Sequence, residues 1–232
     1  MMRSLFSLLL MSLSLACQAE TPSTCYGSTD NGRLENGWKL PASGANFQAY
    51  SLVGVAAGRN HVHSRVHGII LDAYARLEKT QPGKTFVYGE TGWADGGSFK
   101  PHKTHQNGLS VDFFVPVLDG AGQSASLPIS PFNRLGYDLE FSSGGQYQDL
   151  RIDFEAMASH LLALKAAADR QGIPIWRVIF DNDLQRPLFA TSRGAELKAA
   201  LTFSTKKPWV RHDEHYHVDF VLPCRTNRPA AD

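Results

Sequence analysis

The sequence predicts a single α+β domain with a small, mainly antiparallel sheet flanked by helices and a metal site on that sheet. Three observations predict it. Two segments carry apolar stripes of helical period, several short apolar runs read as strands between Gly- and Pro-rich turns, and five of the nine histidines fall in two short strand-bearing runs.

The 232 residues carry a formal charge of +1, with 43% hydrophobic and 19% charged residues. That is ordinary globular composition, sufficient to bury a core in one domain. There is no basic patch or long charge run, so a nucleic-acid partner is not expected. Residues 1–19 read as an export signal: Arg3, an apolar run from Leu5 to Leu15, then small residues near Ala16 and Ala19. The run is too short to span a bilayer, so no transmembrane span is expected and residues 20–232 form the domain. Cleavage after Ala19 competes with a lipoprotein signal in which Cys17 is lipidated. Ser14, three residues before Cys17 where leucine is usual, favours the soluble form. Cys25 and Cys224 then remain as an even pair in an oxidising compartment, where bridging is normal. The alternative is two separate buried thiols.

The elements follow in order. From Cys25 to about Phe47 the chain is turn-rich, with Asp30–Asn31–Gly32 and Asn36–Gly37 marking a hairpin or an irregular arm. Ser64 to Thr80 reads as a helix: Val66, Ile69, Ile70, Ala73 and Leu77 form one apolar stripe, and Pro82–Gly83 end it. "TFVYGE" is a buried strand, followed by the glycine-rich loop "TGWADGGSFKP". A strand over 110–117 leads to "LDGAGQSASLPISPFN", too polar and too rich in Gly and Pro for regular structure, and a candidate substrate wall. "YDLEFSS" is a short strand candidate. About Asp153 to Arg170 reads as the second strong helix, with Gly172 as its C-terminal stop, and helical phase puts His160 on its outer side. "IPIWRVIFD" is a buried strand, Thr191–Leu201 a shorter helix, and "HVDFVL" the last strand.

Chemistry concentrates in "HKTHQNGLSVDFF", with His102, His105 and Asp112, and in "RHDEHYHVDF", with His212, His215 and His217. Side chains alternate along a strand, so His215, His217 and Asp219 share one face. Imidazole and carboxylate from two adjacent strands can close around a cation, and three such ligands plus a water make the open form of a zinc site. The chain lacks H-E-x-x-H and its glutamate base, so a histidine must shuttle the proton. From the residues alone, Asp112 can serve as ligand or as base.

The strings "HKTHQNGLSVD" and "HDEHYHV", the turn-rich "CYGSTDNGRLENGWKLP", the "YGETGW" stretch and the terminal cysteine resemble the penicillin-insensitive murein endopeptidases. That family belongs to the metallopeptidase group that includes lysostaphin-type enzymes and D-Ala-D-Ala carboxypeptidases. The resemblance spans about Cys25 to Cys224. It implies that His105, Asp112 and His217 hold one zinc ion and that His215 stands beside it as base or transition-state donor, with His102 and His212 completing a second rank. It further implies a periplasmic enzyme whose partner is peptidoglycan, cutting the D-Ala–meso-diaminopimelate bond.

Other readings stay open at this point. Pocket shape would decide between an endopeptidase and a carboxypeptidase or L,D-specific peptidase on the same polymer. A wall-binding module without turnover and a zinc-scavenging protein are the non-enzymatic alternatives. His61, His63 and His67 form a competing cluster, but Ser64 reads as a helix start and leaves His63 outside it. Arg59 and Arg65 are candidates to meet a substrate carboxylate, and Trp93 is either groove wall or core.

Overall fold

A computed structural model describes residues 21–206 and 210–227. The export signal and Cys17 lie outside the described residues. The chain begins with strands β1 (Thr24–Gly27), β2 (Gly32–Glu35), β3 (Trp38–Lys39) and β4 (Phe47–Ala49), then helix α1 (Leu52–Ala56), β5 (His61–Val62) and α2 (Ser64–Thr80). The middle holds β6 (Phe86–Tyr88), β7 (Ser110–Phe114), β8 (Val117–Leu118), β9 (Ser124–Ala125), a 3-10 turn (Pro131–Gly136), β10 (Gln146–Tyr147) and β11 (Leu150–Ile152). The chain closes with α3 (Phe154–Arg170), β12 (Ile175–Ile179), α4 (Asn182–Phe189), α5 (Gly194–Ala200) and β13 (His215–Phe220).

The central sheet has the order β12-β13-β7-β6-β4, antiparallel except for the parallel β4–β6 pair. Registry fixes what each face carries. On one face His217 stands opposite Asp112, Asp219 opposite both Ser110 and Arg177, and His215 opposite Phe114. The alternate residues Tyr216, Val218, Val111 and Phe113 are fully buried and face the helices.

Both long helices form where their stripes require. In α2, Val66, Ile69, Ile70, Ala73 and Leu77 are buried, and the His63 ring caps the first turn by accepting from the Arg65 amide. Asp153 caps α3 by accepting from the Ala156 amide, and Gly172, at φ +63°, follows its end. A Cys25–Cys224 disulfide joins the first hairpin to the C-terminal tail across 199 residues.

Four expectations need correction. His160 is buried, because α3 is surrounded: an unbroken run from Ala156 to Leu164 is inaccessible, so helical phase no longer marks an outer side. Its ring packs among Tyr74, Phe86 and Phe113, and Nδ1 meets the Tyr216 hydroxyl at 2.5 Å. "YDLEFSS" forms no strand; the Phe141 amide donates to the Asp213 carboxylate instead of to a ladder. The segment after β7 is more regular than its composition suggests, since it contains a β8–β9 pair and the 3-10 turn. The last predicted helix is trimmed to Gly194–Ala200, and α1 and α4 were not anticipated.

Candidate metal centre and active site

The polar face of the central sheet opens into a cavity of about 980 Å³ lined by residues including His102, Asp112, Tyr137, His212, His215 and His217. At its centre is the Asp112 carboxylate, fully buried, with its two oxygens addressed by different groups. Oδ1 lies 2.8 Å from His217 Nδ1 and 3.3 Å from His105 Nε2. Oδ2 lies 3.2 Å from the Tyr137 hydroxyl, 3.7 Å from His102 Nδ1 and 3.9 Å from His215 Nε2. The six histidine and aspartate positions singled out from the sequence thus converge, His212 entering by its ring 4.5 Å from that of His215.

His105 is poised to be a ligand. Its Nδ1 is 3.1 Å from the Thr91 carbonyl, which can only accept, so Nδ1 carries the proton and Nε2 presents a lone pair. Nε2 is buried and has no hydrogen-bond partner among the described residues. Burial lowers the His105 pKa, which keeps the ring neutral. The residue also has φ +71°, a left-handed conformation rare outside glycine and concentrated at functional sites. The backbone accommodates it at Gly92, where an added Cβ would sit 2.8 Å from the His105 carbonyl oxygen. Gly89 plays the same part beneath Asp112: a Cβ there would lie 3.0 Å from the Asp112 Cβ and 2.8 Å from the Tyr137 hydroxyl.

His217 lies between two carboxylates, with Nδ1 at Asp112 and Nε2 2.8 Å from Asp219 Oδ1. Burial alone would lower its pKa, but Asp219 and Asp112 together raise it to about 10. The cluster therefore favours a positive charge between the Asp112 carboxylate and this ring. A metal ion there would be met by Nδ1, while Nε2–H went on donating to the ionised Asp219, the carboxylate–histidine–metal arrangement that fixes ring orientation. Asp219 is itself held by the Ser110 hydroxyl at 2.6 Å and Arg177 Nε at 2.7 Å.

His102 has a similar backing. Its Nε2 is 2.5 Å from Glu90 Oε2, and Glu90 also accepts from Tyr50 and Arg59. Burial would raise the Glu90 pKa, yet His102 and Arg59 bring it down to about 2. The ligand atoms of His102, His105 and Asp112 all lie within 4.8 Å of one another, a group able to hold a metal ion. His217 shares the same Asp112 carboxylate from the opposite strand. His215 is buried with its pKa pushed down to about 4 by burial, and His212 to about 3 by burial and the neighbouring His215. His215 Nδ1 is 2.7 Å from Glu214 Oε1, which leaves Nε2 facing the cavity.

The competing cluster does not assemble. His61 binds the Gly58 carbonyl, His63 caps α2 and His67 packs edge-on against Trp38. Arg59 is committed to Glu90 and Arg65 to the Gln171 carbonyl, so neither is poised for substrate. Trp93 packs edge-on against Phe99, with Arg59 over its ring. Glu90, Tyr137 and Asp219 were missed as site members. Only Asp219 had a local signal, two residues beyond His217 on the same strand face.

A family model described as penicillin-insensitive murein endopeptidase matches residues 25–231, nearly all of the described chain. No curated protein matches it. Among the described residues no helix is long and apolar enough to cross a membrane.

Proposed function

The chain belongs to the penicillin-insensitive murein endopeptidase family, and from that premise we propose that it is an exported, zinc-dependent endopeptidase that hydrolyses the D-Ala–meso-diaminopimelate cross-link of peptidoglycan. Its place of action is the periplasm, where that polymer lies.

The observation that carries the proposal is the division of labour at Asp112. His105 and His217 address one oxygen, while Tyr137, His102 and His215 address the other. His105, Asp112 and His217 would hold the zinc ion: the neutral His105 ring, the carboxylate and a His217 ring that gives up its Nδ1 proton to the ion suit it, and the unpartnered His105 Nε2 is the atom such an ion would satisfy. When bound, the ion supplies a Lewis acid that polarises a carbonyl and makes water a nucleophile near neutral pH.

The remaining work falls to the chain's own side chains. His215, neutral in its buried position, takes the proton of the attacking water at Nε2 and passes it to the leaving amine. Tyr137 keeps its phenol protonated, its pKa raised well above the usual by burial and by Asp112 and Glu90, and holds the carboxylate by hydrogen bonding. His102, fixed by Glu90, and His212, whose Nδ1–H donates to the Val210 carbonyl at 3.0 Å, present their other ring nitrogens as positioning groups. Such a mechanism requires no serine nucleophile.

Digestion of purified muropeptide dimers, with products identified by mass, tests the reading. Monomers released with an intact D-Ala terminus support it. Dimers left whole while terminal D-Ala is freed would assign a carboxypeptidase instead.

A further inference from the structure

Arg177 has no role in the chemistry above, yet it lines the same cavity as His217. It stands opposite Asp219 on β12, so its side chain shares the face of the sheet that carries His217 and Asp112. Its guanidinium is pinned twice: Nε donates to Asp219 Oδ2 at 2.7 Å, and the group lies 4.1 Å over the Trp176 ring. The other Asp219 oxygen accepts from Ser110 and meets His217, so Oδ2 is the oxygen that holds the guanidinium.

The other arginines of the cavity are differently engaged. Arg59 and Arg211 each grip a carboxylate through Nε and an amino group, Glu90 and Asp213 respectively. Arg134 pairs with Asp138 on the surface, with 65% of its side chain exposed. Arg177 donates through Nε alone, and its two amino groups have no hydrogen-bond partner among the described residues. That leaves the paired-amino edge of the fork, whose spacing matches a carboxylate. The side chain is 29% exposed, enough to be reached from solvent without being wholly screened by it.

A diaminopimelate residue linked through one amino group keeps a free carboxylate on the same carbon, immediately beside the scissile amide. We infer that Arg177 is the specificity-determining residue that receives this carboxylate. The inference rests on the endopeptidase reading and deepens it. Since Asp219 holds both Arg177 and His217, the carboxylate receptor and the proposed metal ligand are set in fixed relation by one buried group. The site then selects cross-links ending on a charged diaminopimelate over those whose carboxyl group is amidated.

The test compares two muropeptide dimers that differ only in that carboxyl group, free or amidated. The wild-type protein should cleave the free form with kcat/KM higher by roughly tenfold to a hundredfold, the range for a hydrogen-bonded charge pair. Arg177→Gln should cleave both at one similar, reduced rate with its zinc content unchanged, and Arg177→Lys should keep part of the preference. Equal cleavage of both dimers by the wild-type protein overturns the inference while leaving the endopeptidase reading intact. So does full preference retained in Arg177→Lys or Arg177→Gln, or a preference lost only together with bound zinc. Failure of the wild-type protein to cut either dimer overturns the endopeptidase reading and the inference with it.

Discussion

Asp112 and His217 lie directly opposite each other on paired strands, and their side chains meet at 2.8 Å. Strand pairing across 105 residues of sequence therefore sets the distance between two proposed ligands, and sheet rigidity keeps it. His105 comes from a loop, and its position depends instead on a strained backbone packed against Gly92.

Removal of a ligand should remove the metal. His217→Ala and Asp112→Ala are expected to abolish both zinc binding and cross-link cleavage, measured by metal analysis and digestion of dimers. Asp219→Asn acts one bond further out. It should weaken zinc binding by roughly 10–100-fold with the fold retained, the usual cost of losing the group that orients a metal-bound imidazole.

His215→Ala should separate chemistry from binding. Its ring approaches the Asp112 oxygen that His105 and His217 do not address. Turnover should fall by roughly 10²–10⁴-fold, the scale of a lost general acid–base group, while zinc stays bound. Equal loss of metal would make His215 a ligand.

Gly92→Ala should disturb His105 without touching the cavity. The added methyl would press on the His105 carbonyl, and Gly92 itself has φ +149°. A loss of about 1–3 kcal/mol of stability and weaker zinc binding are expected, read by denaturant titration and competition with a chelator.

His160 gives a pH prediction away from the proposed metal. Burial pushes its pKa down to about 3, whereas the unfolded ring titrates near 6.5. The unfolded chain thus binds the extra proton first. This contribution to stability is constant above about pH 6.5 and is lost as pH falls toward 3. Between pH 7 and pH 4 the loss amounts to about 3 kcal/mol from this residue. His160→Phe should flatten that part of the stability profile, at the cost of the Tyr216 hydrogen bond at neutral pH.

What was legible in the sequence had local periodicity. The stripes of α2 and α3 and the alternation in "HYHVDF" are one-dimensional signals, and the structure follows them. Helix α4 was hidden by Pro187, which reads as a breaker but here falls in the last turn of an eight-residue helix. The burial of His160 was hidden because phase identifies an outer face only when a helix has one. The clustering of histidine and carboxylate was readable from residue type and spacing, and the choice of His105, Asp112 and His217 among them came from the family resemblance. Of their supports only Asp219 showed, by alternation with His217; Glu90 and Tyr137 gain meaning only through contacts with His102 and Asp112 made by remote segments. Even the glycines of "YGETGW" look like loop punctuation until Asp112 and His105 are seen resting on them.

The position of the ion decides the roles of all six side chains. Anomalous scattering at the zinc edge, from crystals of the zinc-loaded protein, should give one peak at about 2.0–2.2 Å from His105 Nε2, an Asp112 carboxylate oxygen and His217 Nδ1. A peak held by His102 in place of His217, or one away from Asp112 altogether, would contradict the account.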